Sequence, residues 1–256
     1  MTEMRGAGSA RDRLRPYVDR ARRFSGWRFN EIVSTVLGSP VPWSYPSLAA
    51  ELLTTAARVL DMGTGGGEIF EALLPSYRGR AIATEEWHVN APVAARRLRR
   101  HGVDVVRCRS LVLPFRDDVF SVVLNRHEEM DSAEIARVLS PGGRLLTQQV
   151  GRDYWKELRR FFPRMQDSGD LFHRYQDELR SAGLTIVDAR THETKVAYRG
   201  LGDIVFMLCV TPWTIPGFDP LGRDLQALLD LERGLSTEDG LVLTETYFHI
   251  GARKPA

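Results

Sequence analysis

The stretch Val59-Leu60-Asp61-Met62-Gly63-Thr64-Gly65-Gly66-Gly67-Glu68 is the part of this chain whose residue types best suit ligand binding. A short apolar run ends in a glycine-rich turn and enters a helix, which turns backbone N–H groups and a helix N-terminus toward a ligand. Glycines at 63, 65 and 67 admit a ligand close to the main chain because no Cβ stands there. Twenty-four residues after Asp61, at the end of the next apolar run, stands Glu85. A carboxylate at that place can accept from both hydroxyls of a ribose. Glu86 and Trp87 follow and could flank a purine; the Trp87 ring either stacks on it or serves ordinary packing. A G-x-G-x-x-G dinucleotide turn needs a third glycine at position 68, where this chain has Glu68. That carboxylate, with Asp61 before the turn, repels a pyrophosphate and argues against NAD or FAD. No Gly-Lys-Ser/Thr follows, so the turn is not a P-loop.

A second polar group, Asn125-Arg126-His127-Glu128-Glu129, ends another apolar run, and Thr147-Gln148-Gln149 lies in the run after that. Side chains alternate faces along a strand, so one of the two glutamines faces the same site. His127 is the natural proton acceptor here, since an unperturbed imidazole titrates near 6.5. Glu128 either orients it or steadies a cation, and the alternative is that the pair only fixes the loop. The six histidines are scattered without paired spacing, so no metal is expected. Cys108 and Cys209 lack any C-x-x-C spacing and suit buried thiols in a reducing compartment.

These residues need elements to hold them. From Arg58 onward apolar runs alternate with helical stretches: strands at 58–62, 81–84, 103–107, 120–124 and 144–150, with helices between. Asn90 and Ser132 are the expected caps of two of those helices. Such βαβα alternation predicts a parallel sheet covered on both faces. Strands at 184–189 and 243–252 complete seven, the last alternating as an antiparallel edge strand does. The predicted fold is α/β: a Rossmann-like, doubly wound, mostly parallel seven-stranded sheet with an antiparallel C-terminal strand. Residues 1–57 are expected to form an N-terminal helical cap, helical over most of 11–37 with its first helix starting at Pro16. Residues 58–256 form the main domain, with 201–235 a helical insertion or lid before the last strand.

Three segments together resemble the class I S-adenosylmethionine-dependent methyltransferases, in particular the type 11 group. Val59–Gly67 is similar to the family's h-x-D-x-G-x-G-x-G turn. Leu113-Pro114-Phe115-Arg116-Asp117-Asp118-Val119-Phe120-Ser121-Val122-Val123 resembles its L-P-F-x-D-x-x-F-D-V-V segment, and Arg137-Val138-Leu139-Ser140-Pro141-Gly142-Gly143 its R-V-L-K-P-G-G turn. The likeness covers about residues 58–150. It implies S-adenosylmethionine as cofactor and S-adenosylhomocysteine as product. On that reading Asp61, Gly63, Thr64, Gly65 and Gly67 cradle the methionine part, Glu85 holds the ribose, Glu86, Trp87 and Ser110 surround the adenine, and Asn125 closes the site. The family's adenine-binding Asp is missing from Cys108-Arg109-Ser110, and Ser121 replaces the Asp of strand four.

Methyl transfer is an in-line displacement with a neutral leaving group, so alignment and water exclusion carry much of it. A base matters only if the acceptor must lose a proton; His127 and Glu128 are the candidates. Arg126 and Gln148 are the expected acceptor contacts, with Trp27 and Trp213 closing an aromatic lid over a small organic molecule. The expected activity is transfer to an oxygen or nitrogen nucleophile of such a molecule. Residues 1–28 hold eight Arg against Glu3, Asp12 and Asp19, and Arg96, Arg97, Arg99 and Arg100 form a second group. These support RNA methylation as the alternative, although no N/D-P-P-Y motif follows strand four. A cofactor-binding protein that acts only by interaction is a reading from another class. Apolar content of 43%, charged content of 27% and a net charge of +2 suit a globular protein. The N-terminal stretch lacks an apolar leader and no run is long enough for a membrane span, so a cytoplasmic protein without membrane contact is expected.

Overall fold

The computed structural model describes residues 2–256, with side chains from Ser9 onward; Met1 lies outside the described residues. The core is one sheet built from β2 (Arg58–Met62), β3 (Arg80–Thr84), β4 (Asp104–Val106), β5 (Phe120–Arg126), β6 (Leu139–Val150), β7 (Thr185–Tyr198) and β9 (Gly240–Arg253). Two short strands, β1 (Ser34–Val36) and β8 (Ser236–Thr237), join it. Their spatial order is β4-β3-β2-β5-β6-β9-β7-β1, with β8 beside β9. Strands β2 to β6 run parallel, and β9 is antiparallel to both β6 and β7.

The parallel strands are apolar almost throughout because helices cover both faces. Val59, Leu60, Val122, Val123 and Leu124 are fully buried, between α2 (Tyr45–Leu53), α3 (Glu68–Leu73) and α4 (Ala91–Leu98) on one face and α5 (Ser132–Val138) and α6 (Leu171–Ser181) on the other. Register brings the C-terminal ends level: Met62 lies beside Asn125, and Arg126 beside Gln148.

Several local expectations need correction. The antiparallel strand β9 is interior, between β6 and β7, and Glu245 and His249 on its polar face are buried instead of meeting solvent. The first helix, α1 (Thr2–Arg22), passes through Pro16. Proline removes a helical N–H there, and the helix persists because Ala10, Leu14 and Val18 bury against Leu201, Val205 and Leu208 of α7 (Leu201–Val210). That burial, ~1.5–3 kcal/mol for each large side chain, outweighs the local preference. Residues 23–37 are not helical; Gly26 takes φ +81° and the chain then enters β1, paired with β7. The insertion holds α7 and α8 (Leu225–Leu235). Neither expected cap works as such: Asp131, not Ser132, accepts from the Glu134 N–H, and Asn90 makes no cap bond.

Candidate functional site

The glycine turn has the geometry its sequence requires. Gly63, Gly65 and Gly67 have φ of +61°, +61° and +81°, which other residues reach only with strain. The Glu85 carboxylate braces the turn, accepting from the Gly65 N–H at 2.7 Å and the Trp87 N–H at 2.9 Å. Thr64 donates its N–H to the Thr84 carbonyl at 2.9 Å. Each oxygen of Glu85 keeps a second lone pair for a ligand hydroxyl. Glu86 is exposed and lies 3.6 Å from Arg109, while Trp87 is half-buried.

Three carboxylates converge on this turn, Asp61 and Glu85 buried and Glu128 half-buried. Asp61 is pushed up to about 7 by burial, with the nearby Glu85 charge adding to it against Arg126. Burial also pushes Glu128 to about 7, offset in part by a hydrogen bond from the Ser110 hydroxyl at 2.7 Å. Glu85 is raised by burial and lowered by its two backbone donors. None of the three has an ion-pair partner among the described residues. Glu128, expected beside His127, lies over Gly63 and against Ser110. Asn125 is wholly buried; its Oδ1 accepts from Thr147 at 2.8 Å and from Gln149 at 2.6 Å, and Gln149 also donates to the Glu128 carbonyl at 2.8 Å. Of the two glutamines, Gln149 therefore locks the loop that carries Glu128.

Gln148 faces the other way, into a cavity of about 430 Å³ lined by Trp43, Tyr45, Ile69, Arg126 and Tyr247. Ile69 stands on the first turn of α3, so the cavity adjoins the glycine turn. The Trp43 indole N–H donates to Gln148 Oε1 at 2.9 Å, and the Arg126 guanidinium lies 5.9 Å from the Tyr45 ring centre. A concavity of about 670 Å³ near Arg80 and Asp104 lies at the opposite, N-terminal end of the strands, away from where open α/β sheets bind ligands. His127 sits at φ +58°, donates its N–H to the Gln148 carbonyl at 2.8 Å and stacks on Tyr247 at 6.1 Å. Burial, and the Arg126 charge after it, depress the imidazole to about 3. The ordinary value near 6.5 that made it the natural base does not hold in this environment.

Trp27, expected in a lid, belongs to a strap over the glycine turn. Gly26 donates its N–H to Asn90 Oδ1 at 2.8 Å, and Trp27 donates its own to Glu68 Oε1 at 3.3 Å. This puts the Trp27 Cβ against Gly65, and a Cβ built at Gly65 would lie 3.0 Å from it. Trp213, 52% exposed, stacks on Trp27 at 6.1 Å and meets Trp87 edge-on at 5.7 Å. Neither Trp27 nor Trp213 lines the 430 Å³ cavity, because the strap is tied to Glu68 and Asn90; Trp43 supplies the indole there. Glu68 was legible only as an obstacle to pyrophosphate, yet it is buried, paired with Arg97 at 3.4 Å, and clamps the strap. Glu245 gave a weaker signal through the polar alternation of β9. Its carboxylate accepts from Tyr198, from Tyr247 at 2.7 Å and from Tyr154 at 3.4 Å, beneath the cavity.

Several arginines of these two groups pair inside the chain. Arg13 forms a two-pronged pair with Glu232 at 2.6 and 2.7 Å, and Arg20 pairs with Glu31 at 2.7 Å. Arg97 and Arg100 both hold Glu71. No helix among the described residues is long and apolar enough to cross a membrane.

Residues 60–147 match the family described as "Methyltransferase domain". A ubiquinone/menaquinone biosynthesis C-methyltransferase from Desulfotalea psychrophila is 34% identical over 97 residues, 35% of this chain and 39% of that protein. The chain spans under half the length of the first curated relatives it matches. Among solved structures, the [4+2]-cyclase SpnF superposes with a TM-score of 0.57 at 20% identity, covering 95% of this chain and 93% of that one. A phosphoethanolamine N-methyltransferase from Haemonchus contortus, in complex with phosphomonomethylethanolamine and S-adenosylhomocysteine, gives 0.55 at 15% identity over 85% and 54%. The two solved structures share this fold and are named for cyclisation and for nitrogen methylation, so the likeness of fold does not name the acceptor.

Proposed function

Since residues 60–147 form a domain of the class I methyltransferase family, we propose that the chain binds S-adenosylmethionine and transfers its methyl group to an oxygen or nitrogen of a small organic molecule. The observation that carries this reading is the set Asp61, Glu85 and Glu128: two buried carboxylates and one half-buried, without ion-pair partners among the described residues, gathered on a glycine turn. Unpaired buried charge is costly unless a ligand of opposite sign completes it. A ligand with a sulfonium, an α-ammonium and a ribose has that sign and those donors, whereas a dinucleotide pyrophosphate has the opposite sign.

When bound, the cofactor supplies an electrophilic methyl carbon and a neutral thioether leaving group. Asp61 and Glu128 are placed to face the ammonium, and Glu85 to give its remaining lone pairs to the ribose hydroxyls. Trp87, Trp27 and Trp213 exclude water from above the turn, with Ser110 holding Glu128 in place. The acceptor enters the 430 Å³ cavity between Arg126 and Gln148, beside the same turn. His127 does not line that cavity but stands behind Gln148, 3.5 Å from its amide nitrogen; neutral at physiological pH, it is a weak base for removing a proton. Internal pairing of Arg13, Arg20, Arg97 and Arg100 favours the small-molecule reading over RNA. Incubation with S-adenosylmethionine carrying a labelled methyl group and a set of small acceptors tests the proposal, label transfer being the expected result. Cofactor binding without transfer to any acceptor would point to a non-catalytic binding protein.

A further inference from the structure

The acceptor cavity is rich in free donors and poor in free acceptors. Arg126 is the one cation lining it and makes no hydrogen bond or ion pair among the described residues. Tyr45, 4% exposed, also lines it, and its buried hydroxyl has no partner. The Gln148 amide nitrogen has only a 3.5 Å contact with His127, since its oxygen is taken by Trp43. The lone carboxylate of the lining, Glu245, is committed to the three tyrosine hydroxyls and does not reach Arg126 as an ion pair. A guanidinium fork, a phenol and an amide N–H left unused in one small cavity are complementary to an oxyanion. Val36, Pro40, Val41 and the Trp43 ring supply apolar walls for the rest of the molecule.

We propose that the cavity takes a small organic carboxylate, its two oxygens held by Arg126 and one of them also by the Tyr45 hydroxyl. The methyl acceptor is then an organic acid anchored by its carboxylate, which sets the substrate class for the transfer reading above, on which this inference rests. The anion also completes the charge of Arg126, which otherwise stays half-buried and unpaired.

The test is calorimetric titration of the purified full chain, first with S-adenosylhomocysteine and then, with that ligand saturating, with benzoate and phenylacetate against benzamide and methyl benzoate. Both carboxylates are expected to bind at least about tenfold more tightly than their neutral counterparts. Arg126→Gln is expected to abolish that preference, and Tyr45→Phe, which removes only an oxygen, to reduce it several-fold while the melting temperature holds. Equal binding of acid and amide, a preference unchanged in either folded variant, or no carboxylate binding at millimolar concentration would overturn the proposal. Failure of the first titration, with S-adenosylhomocysteine, would count against the transfer reading instead, and the carboxylate titration on the unliganded protein would still decide the character of the cavity.

Discussion

Glu128 lies so close over Gly63 that a Cβ built on that glycine would be 2.6 Å from a carboxylate oxygen. The contact explains why position 63 must be glycine twice over, since φ is +61° there and Glu128 fills the space. Gly63→Ala should cost ~1–2 kcal/mol of stability for the left-handed backbone alone. It should also push Glu128 out of place and weaken S-adenosylhomocysteine binding by at least about tenfold, or ~1.4 kcal/mol. Calorimetry together with a melting curve checks both, and a variant with wild-type affinity would separate Glu128 from the cofactor.

The pH dependence follows from the raised carboxylates. Asp61 and Glu128 titrate near 7 in the folded chain against ordinary values of 3.8 and 4.5. Their contribution to stability is therefore complete below about pH 4 and lost as pH rises through about 7. His127, held near 3 by burial, works in the other direction only below its ordinary 6.5, so pH 6.5–8.5 isolates the carboxylates. The cofactor-free protein should melt at a lower temperature at pH 8.5 than at pH 6.5. Glu128→Gln should flatten that slope and stabilise the protein at pH 8.5 by about 1–3 kcal/mol. Binding of the cationic cofactor should run oppositely, tightening as pH rises through 7 and doing so less steeply in the variant. Parallel melting slopes in the two proteins would show that Glu128 is not a raised carboxylate.

Glu85 serves both the turn and the proposed ribose contact. Glu85→Ala should weaken S-adenosylhomocysteine binding about 10- to 150-fold, ~1.5–3 kcal/mol, and lower the melting temperature because the Gly65 and Trp87 N–H groups lose their acceptor. Glu85→Gln keeps one acceptor oxygen and should fall between. A folded Ala variant with unchanged affinity would mean that another residue holds the ribose.

His127 should not set the pH–rate profile. His127→Asn, chosen because asparagine tolerates φ +58°, should alter turnover by less than about tenfold and leave any limb near neutrality where it was. A loss of about 10²–10⁴ with disappearance of the limb would restore the imidazole as the base.

The parallel half of the sheet and the glycine turn were legible because both are written locally: apolar runs of strand length, and glycines where φ must be positive. Glu85 was legible by its remove from Asp61. What was hidden depends on tertiary packing. His127 carries its ordinary value in the sequence, and only burial beside Arg126 depresses it. Glu128 sits next to His127 in the chain yet reaches Gly63 and Ser110 instead, because residue 127 adopts a left-handed turn and Gln149 ties down the Glu128 carbonyl. Trp27 read as part of a helical stripe, but Glu68 and Asn90 draw it onto the turn from 41 and 64 residues away. The interior place of β9 was masked by its alternation, whose polar face turns out to supply Glu245 and Tyr247 to the lining of the 430 Å³ cavity.

The central claim is that the acid-lined glycine turn is a site for a cationic adenosyl cofactor. Titration of the purified chain with S-adenosylmethionine, S-adenosylhomocysteine and NAD at pH 8 tests it most directly. Saturable heat with one site per chain is expected for both sulfur compounds, tighter for the positively charged one, and none for NAD. Saturation by NAD with no heat from either sulfur compound would contradict the account.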